Sequence, residues 1–115
     1  MKQELQEILE YFWDKWYRSP CPYTLEIRRI DRGYHKPAKR LIVIPEWAIE
    51  NIYFAYSYII HETCHIRQGH YHDKNFKQQE TKMLKEFGLA PIYSRAYVKE
   101  LRNSNGQVLW KRGYY

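Results

Sequence analysis

Residues 61–65 read His61-Glu62-Thr63-Cys64-His65, and this stretch decides how the 115-residue chain is interpreted. It has the pattern H-E-x-x-H. On a helix, residues four apart lie on one face, so both imidazoles can bind the same metal ion. Glu62 lies beside them, where a general base for a metal-activated water is needed. Because the pattern is short enough to occur by chance, its surroundings must support it.

The residues before the motif are typical of a buried helix. Pro45 suits a first helical turn, and Glu46 is favourable near a helix N-terminus. No helix breaker follows until Gly69, which supplies a stop. The apolar residues of this segment are Trp47, Ile49, Ile52, Tyr53, Phe54, Tyr56, Tyr58, Ile59 and Ile60. They predict a long central helix over residues 45–68, with the motif in its last two turns.

The remaining patterns predict an α+β fold with a small sheet of about three strands. Helical spacing of Leu5, Ile8, Leu9, Phe12, Trp13 and Trp16 predicts an N-terminal helix behind the sheet and the metal helix. Residues 23–30 and 39–44 predict strands, joined by a turn at 31–33 and a basic, exposed loop at 34–38. The second strand is a candidate edge for binding an extended peptide.

Beyond the motif, the sequence predicts one more helix and a hairpin. Asp73 can cap a helix that ends before Gly88. Its inward residues would be Phe76, Glu80, Met83, Leu84 and Phe87. Residues 93–101 and 107–111 predict two strands joined by a turn at residues 103–106, for which Asn105-Gly106 is the signal.

Charge and cysteine content restrict the class of protein. The net charge of +6 allows an acidic partner, either DNA or an acidic protein surface, although a solvated basic stretch over residues 28–40 is the favoured reading. The two cysteines, Cys21 and Cys64, form no disulfide framework, which favours a reducing compartment. The sequence has no apolar stretch long enough for a bilayer and no apolar signal core. We therefore expect a soluble, cytoplasmic monomer without a membrane partner.

A catalytic zinc site usually needs a third protein ligand and an open position for water. Four downstream residues are candidates: His70, His72, Glu80 and Glu86. His72 follows the Gly69 turn and shares the inward face of Phe76. Glu80 is the alternative, either as the third ligand or as an acceptor that fixes a histidine ring. We expect His70 to point to solvent or flank the cleft, and Glu86 to fall off the inward stripe.

The motif, followed by Gly69 and by His72-Asp73-Lys74-Asn75-Phe76, resembles the H-E-x-x-H…H-x-x-x-F signature of SprT-like zinc metallopeptidases. The resemblance implies a minimal zincin domain, with Zn2+ on His61, His65 and His72 and with Glu62 as the catalyst. Glu80 makes the chain similar in part to minigluzincins, one-domain zincins whose third ligand is a glutamate on the next helix. In those proteins a C-terminal tail can block the cleft. The length and the absence of repeats predict one domain over residues 1–115. Residues 92–115 would form a hairpin or tail, which either covers the cleft and keeps the enzyme latent or is a frayed end.

These features predict a zinc metallopeptidase that hydrolyses peptide bonds through a zinc-bound water, with Glu62 as general base. Candidate donors to the developing oxyanion are Tyr93, Tyr97, Tyr114 and Tyr115. One alternative is a non-enzymatic, zinc-containing module that binds DNA or protein through the basic stretch. A second is a zinc hydrolase for a non-peptide amide. An intact Glu62 favours an enzyme, because zinc binding alone does not require it.

Overall fold

A computed structural model describes residues 1–31, 33–69, 71–90, 98–103 and 105–113, with the backbone alone for residues 68, 98–101 and 109–113. The α+β prediction is confirmed: these residues form three α-helices, a three-stranded sheet and a separate hairpin. The helices are α1 (Lys2–Tyr17), α2 (Ile52–Gln68) and α3 (Lys74–Lys85). The strands are β1 (Thr24–Arg28), β2 (Tyr34–Lys36), β3 (Leu41–Pro45), β4 (Val98–Arg102) and β5 (Val108–Gly113). None of the described helices is long and apolar enough to cross a bilayer.

The sheet has the strand order β1-β3-β2, so the predicted peptide-binding edge at residues 39–44 is wrong. Strand β3 lies in the centre, parallel to β1 and antiparallel to β2. All five of its residues are buried, which explains its continuous apolar run. Strand β2 forms one edge of the sheet, and β1 forms the other. The residues of β2 were expected to lie in an exposed loop. The rest of that loop, Pro37–Lys39, is a short 3-10 helix.

Helix α1 packs behind the sheet and behind α2, as predicted. Its buried residues are Leu5, Leu9, Phe12 and Trp13. The Gln6 side chain joins α1 to β1, because it accepts from the Leu25 N–H at 2.7 Å and donates to the Tyr23 carbonyl at 3.1 Å. The Tyr17 hydroxyl donates to the Thr63 carbonyl at 2.9 Å. The helix therefore contacts both the sheet and the motif segment.

The segment before the motif is not one continuous helix. Residues Glu46–Glu50 form a 3-10 helix, and Asn51 then adopts an extended conformation with φ −133° and ψ 118°. The Asn51 side chain accepts from the Tyr53 N–H at 2.9 Å and caps α2. An asparagine side chain that accepts a backbone hydrogen bond stabilises a non-helical conformation of its own residue. Asn51 therefore interrupts the helical segment although it is neither proline nor glycine. Helix α2 thus starts seven residues later than expected, and the motif stays near its C-terminal end.

Helix α3 and the hairpin follow their local signals. The Asp73 carboxylate accepts from the Phe76 N–H at 2.8 Å and caps α3. The buried residues of α3 are Phe76, Glu80, Met83 and Leu84, which are four of the five predicted inward residues. The fifth, Phe87, lies beyond the end of α3 and is half-buried. In the turn between β4 and β5, the Asn103 side chain accepts from the N–H groups of Asn105 and Gln107, both at 3.0 Å. The predictions for His70, Tyr93, Tyr97, Tyr114 and Tyr115 fall outside the described residues.

Gly33 lies where β2 approaches the centre of the sheet, and we expect a Gly33→Ala substitution to destabilise the protein. A Cβ atom there would lie 2.8 Å from the Tyr58 ring and 2.8 Å from the Val43 carbonyl oxygen. Because that oxygen belongs to the backbone of the central strand, it moves only with the sheet. The free energy of unfolding, measured in urea, should fall by about 1–3 kcal/mol. An Ala38→Ser control on the exposed 3-10 helix should change it by less than about 0.5 kcal/mol. Equal stability of the two variants would contradict the close approach.

Candidate metal centre

Three imidazoles converge at the C-terminal end of α2. His61 and His65 lie one turn apart on that helix, and His72 returns from the segment after Gly69. The Nε2 atom of His65 lies 3.1 Å from Nε2 of His61 and 2.9 Å from Nε2 of His72. One ligand atom from each residue lies within 4.8 Å of the others. Nitrogen ligands of a tetrahedral zinc ion are about 3.3 Å apart, so the spacing fits a metal ion.

Hydrogen bonds at Nδ1 leave Nε2 available in two of these rings. The Nδ1 atom of His61 contacts the Glu80 carboxylate. The Nδ1 atom of His65 donates to the Gly69 carbonyl oxygen at 2.9 Å. A nitrogen that donates carries the ring proton, so the opposite nitrogen of a neutral imidazole presents a lone pair. In the neutral form, both rings therefore direct a lone pair into the cluster, and this is the form that binds a metal ion.

Glu80 contacts the cluster from outside. Its side chain is 4% exposed and meets His61 on the side of the ring away from Nε2. A carboxylate in this place can accept a hydrogen bond from the His61 ring, which is one of the two roles considered for Glu80. Burial alone would lower the pKa of His61, but the hydrogen bond and charge of Glu80 raise it overall. Burial lowers the pKa of His65, and its neighbours His61 and His72 act in the same direction.

Gly69 determines where α2 ends and how His65 is oriented. Its φ of 92° is in the region that favours glycine, and a Cβ there would meet no atom within 4 Å. Backbone conformation is therefore the constraint at this position. The Gly69 N–H donates to the His65 carbonyl at 2.8 Å, while its own carbonyl accepts from the His65 ring. The same residue thus ends the helix and fixes one imidazole.

Phe76 supplies an apolar surface beneath the cluster. Its ring is 1% exposed, and its centroid lies 5.3 Å from His61, 4.5 Å from His65 and 4.9 Å from His72. A buried ring in contact with all three imidazoles restricts their rotation. Because Asp73 caps the turn that carries Phe76, the segment from His72 to Phe76 acts as one structural unit.

Glu62 is buried next to the cluster, and its partner is a residue that the sequence did not identify. Its Oε2 atom accepts from Nδ1 of His35 at 3.0 Å, and the two side chains are 6% and 8% exposed. His35 belongs to β2 and stacks on His65, with ring centroids 5.6 Å apart. It was expected in an exposed basic loop. The only sequence feature that could have indicated a role for His35 in the site was its position between two predicted strands.

The other residues considered from the sequence lie away from the cluster. Cys64 is buried with its Sγ 3.4 Å from the sulfur of Met83, and burial raises the pKa of its thiol to about 12, so it packs as an apolar group. Glu86 is paired with Lys15 at 2.8 Å on the surface.

The basic stretch is partly neutralised. The guanidinium of Arg29 lies 3.1 Å from the Glu46 carboxylate, and Arg28 pairs with Glu26. The Arg28 guanidinium also donates to the Tyr34 hydroxyl at 2.8 Å. These pairs reduce the charge that this surface offers to an acidic partner, and such a partner stays a prediction.

Comparison with known proteins shows the fold. No protein-family model and no curated protein matches the sequence. The structure is similar to the crystal structure of the metallopeptidase zymogen of Pyrococcus abyssi abylysin, with a TM-score of 0.58 and 19% sequence identity. The match covers 70% of this chain and 79% of that chain. The protein therefore shares its fold with a metallopeptidase zymogen and carries, within that fold, a three-histidine group that can hold a metal ion.

Proposed function

We propose that the protein is a zinc metallopeptidase, in which His61, His65 and His72 hold the ion and Glu62 is the general base. The observation that carries this proposal is the convergence of three Nε2 atoms beside a buried carboxylate at the end of one helix. The fold shared with a metallopeptidase zymogen supports it. We propose zinc because imidazole nitrogens are among its preferred ligands.

The residues present suit a catalytic ion better than a structural one. Three protein ligands leave the fourth tetrahedral position open, whereas structural zinc sites are closed by four. A zinc ion held there would lower the pKa of a water molecule and polarise a substrate carbonyl. His72 is exposed, so the cluster faces solvent on one side. Substrate can approach from that side.

Glu62 has the position and surroundings of a general base. It follows His61 directly in the chain, and its carboxylate is held within the protein by His35. In peptide hydrolysis it would accept a proton from the attacking water and then donate that proton to the leaving amine.

The substrate edge that we now propose is β2. Strand β2 lies at an edge of the sheet, and it carries His35, whose ring contacts Glu62. An extended peptide added to this strand would run past the base and the histidine cluster. Strand β3, with neighbours on both sides, has no room for such a peptide.

The ligand set is tested by zinc stoichiometry. We expect one zinc ion per wild-type chain, and loss of stoichiometric zinc in His61→Ala, His65→Ala and His72→Ala. Glu80→Gln should keep the ion with an affinity about 10- to 100-fold weaker, because it removes only the acceptor on the His61 ring. The measurement is elemental analysis together with titration against a chelator. Glu86→Gln, an exposed carboxylate just beyond α3, is the control and should match wild type. Zinc retained without His72 but lost in Glu80→Gln would make Glu80 the third ligand.

The role of Glu62 is tested by Glu62→Gln, which keeps the size of the side chain and removes its basicity. In whichever form of the chain cleaves casein, full-length or lacking residues 91–115, we expect unchanged zinc content and cleavage that is slower by a factor of about 100 or more. Glu50→Gln, an exposed carboxylate before α2, should cleave at the wild-type rate. Cleavage by Glu62→Gln at that same rate would refute the assignment. Zinc without cleavage by any form of the chain would favour the non-enzymatic binding module.

We also propose that the C-terminal segment keeps the enzyme latent. A solved structure with the same fold is a zymogen, and residues 92–115 of this chain end in the aromatic sequence Trp110-Lys111-Arg112-Gly113-Tyr114-Tyr115. Removal of residues 91–115 should start casein cleavage that the full chain lacks. This cut is preferable to one inside the hairpin, which would leave β4 without its partner β5. The truncated chain with Glu62→Gln is the control for a contaminating protease, and circular dichroism checks that the fold is kept. Equal rates for full and truncated chains would contradict latency.

A further inference from the structure

His35 and Glu62 form a buried pair that the ligand set does not explain. Their side chains are 8% and 6% exposed, and Nδ1 of His35 lies 3.0 Å from Oε2 of Glu62. A carboxylate removed from water to this extent needs a hydrogen-bond donor. His35 supplies that donor from a different part of the chain, 27 residues earlier.

Two contacts fix the place of His35. Its backbone is part of β2 and pairs with Ile42 of the buried central strand. Its ring stacks on the ring of His65, with 5.6 Å between centroids and 20° between planes. The donor is therefore held by the sheet on one side and by a proposed zinc ligand on the other. Neither contact depends on the flexible end of a long side chain.

We infer that His35 is a positioning residue for Glu62. With Oε2 occupied by the His35 N–H, the carboxylate cannot rotate freely, and Oε1 remains to accept the proton of the attacking water. This inference rests on the proposed function, in which Glu62 is the general base. It adds a role for β2: the strand on which the substrate peptide would lie also holds the base in place.

Three substitutions separate the hydrogen bond from the bulk of the ring. His35→Phe keeps a ring that can stack on His65 and removes the N–H. His35→Asn keeps an N–H near the position of Nδ1, whereas His35→Gln places it near that of Nε2. In the form of the chain that cleaves, full-length or lacking residues 91–115, we expect kcat for casein-derived peptides to fall about 10- to 100-fold in His35→Phe and His35→Gln, as for other partners of site residues. His35→Asn should recover most of the loss. KM and zinc stoichiometry should stay close to wild type in all three.

The controls separate this inference from the proposed function. Lys39→Gln, an exposed residue in the next turn of the chain, should keep the wild-type kcat. Absence of cleavage by wild-type full-length and truncated chains would overturn the proposed function and this inference together. Wild-type cleavage with an unchanged kcat in His35→Phe would overturn the inference alone. A His35→Asn variant that is as slow as His35→Phe would also overturn it, because the N–H would then not matter. If His35→Phe does not fold, the Asn and Gln variants give the same comparison.

A measurement without catalysis tests the contact itself. The free energies of unfolding of His35→Phe, Glu62→Gln and the double variant form a cycle. We expect the losses of unfolding free energy in the two single variants to sum to more than the loss in the double variant, because each single change removes the same hydrogen bond. Additive effects would show that the two side chains do not interact, and would overturn the inference.

Discussion

The hydrogen bonds at the Nδ1 atoms of His61 and His65 are the constraint on which the candidate site depends. They fix which nitrogen of each ring carries the proton and which faces the cluster. The two acceptors differ in kind: one is the buried Glu80 carboxylate, and the other is a backbone carbonyl at the end of α2. An acceptor of this kind left unpaired would cost on the order of 1–3 kcal/mol, and more for a charged group. A rotation of either ring away from its acceptor would therefore destabilise the fold.

The site lies where three parts of the fold meet, and each part contributes one property. Helix α2 supplies two imidazoles and the carboxylate, at a spacing set by the helical turn. The segment capped by Asp73 brings His72 and Phe76 back to that helix. Strand β2 contributes His35, which pairs with Glu62 and stacks on His65. Helix α1 supports the arrangement from behind through the Tyr17 contact with Thr63.

Local patterns in the sequence predicted most of the helices and the hairpin. The H-E-x-x-H spacing, the Asp73 cap, the Gly69 stop and the Asn105-Gly106 turn each act within a few residues, so their consequences could be read directly. The α+β class and the N-terminal helix followed from apolar spacing. The position of Glu80 on the inward stripe of α3 was also predictable.

The remaining features depend on contacts between distant residues. Strand β2 is three residues long and gains its structure by pairing with β3, so it has no periodicity of its own. Without that strand, His35 could not be assigned to the site. The break at Asn51 arose from a side-chain cap that competes with helix continuation. Two roles stayed open for Glu80 in the sequence, because they differ in the orientation of the His61 ring, which no spacing determines.

The shortness of β2 has a consequence for the behaviour of the protein in concentrated solution. A sheet edge can recruit the edge of another molecule, and long, flat edges are the ones that aggregate. Here the edge spans Tyr34–Lys36 and passes directly into a 3-10 helix at Pro37–Lys39, which includes a proline and a lysine. Such an edge can receive a few residues of an extended chain but offers little template for stacking whole molecules.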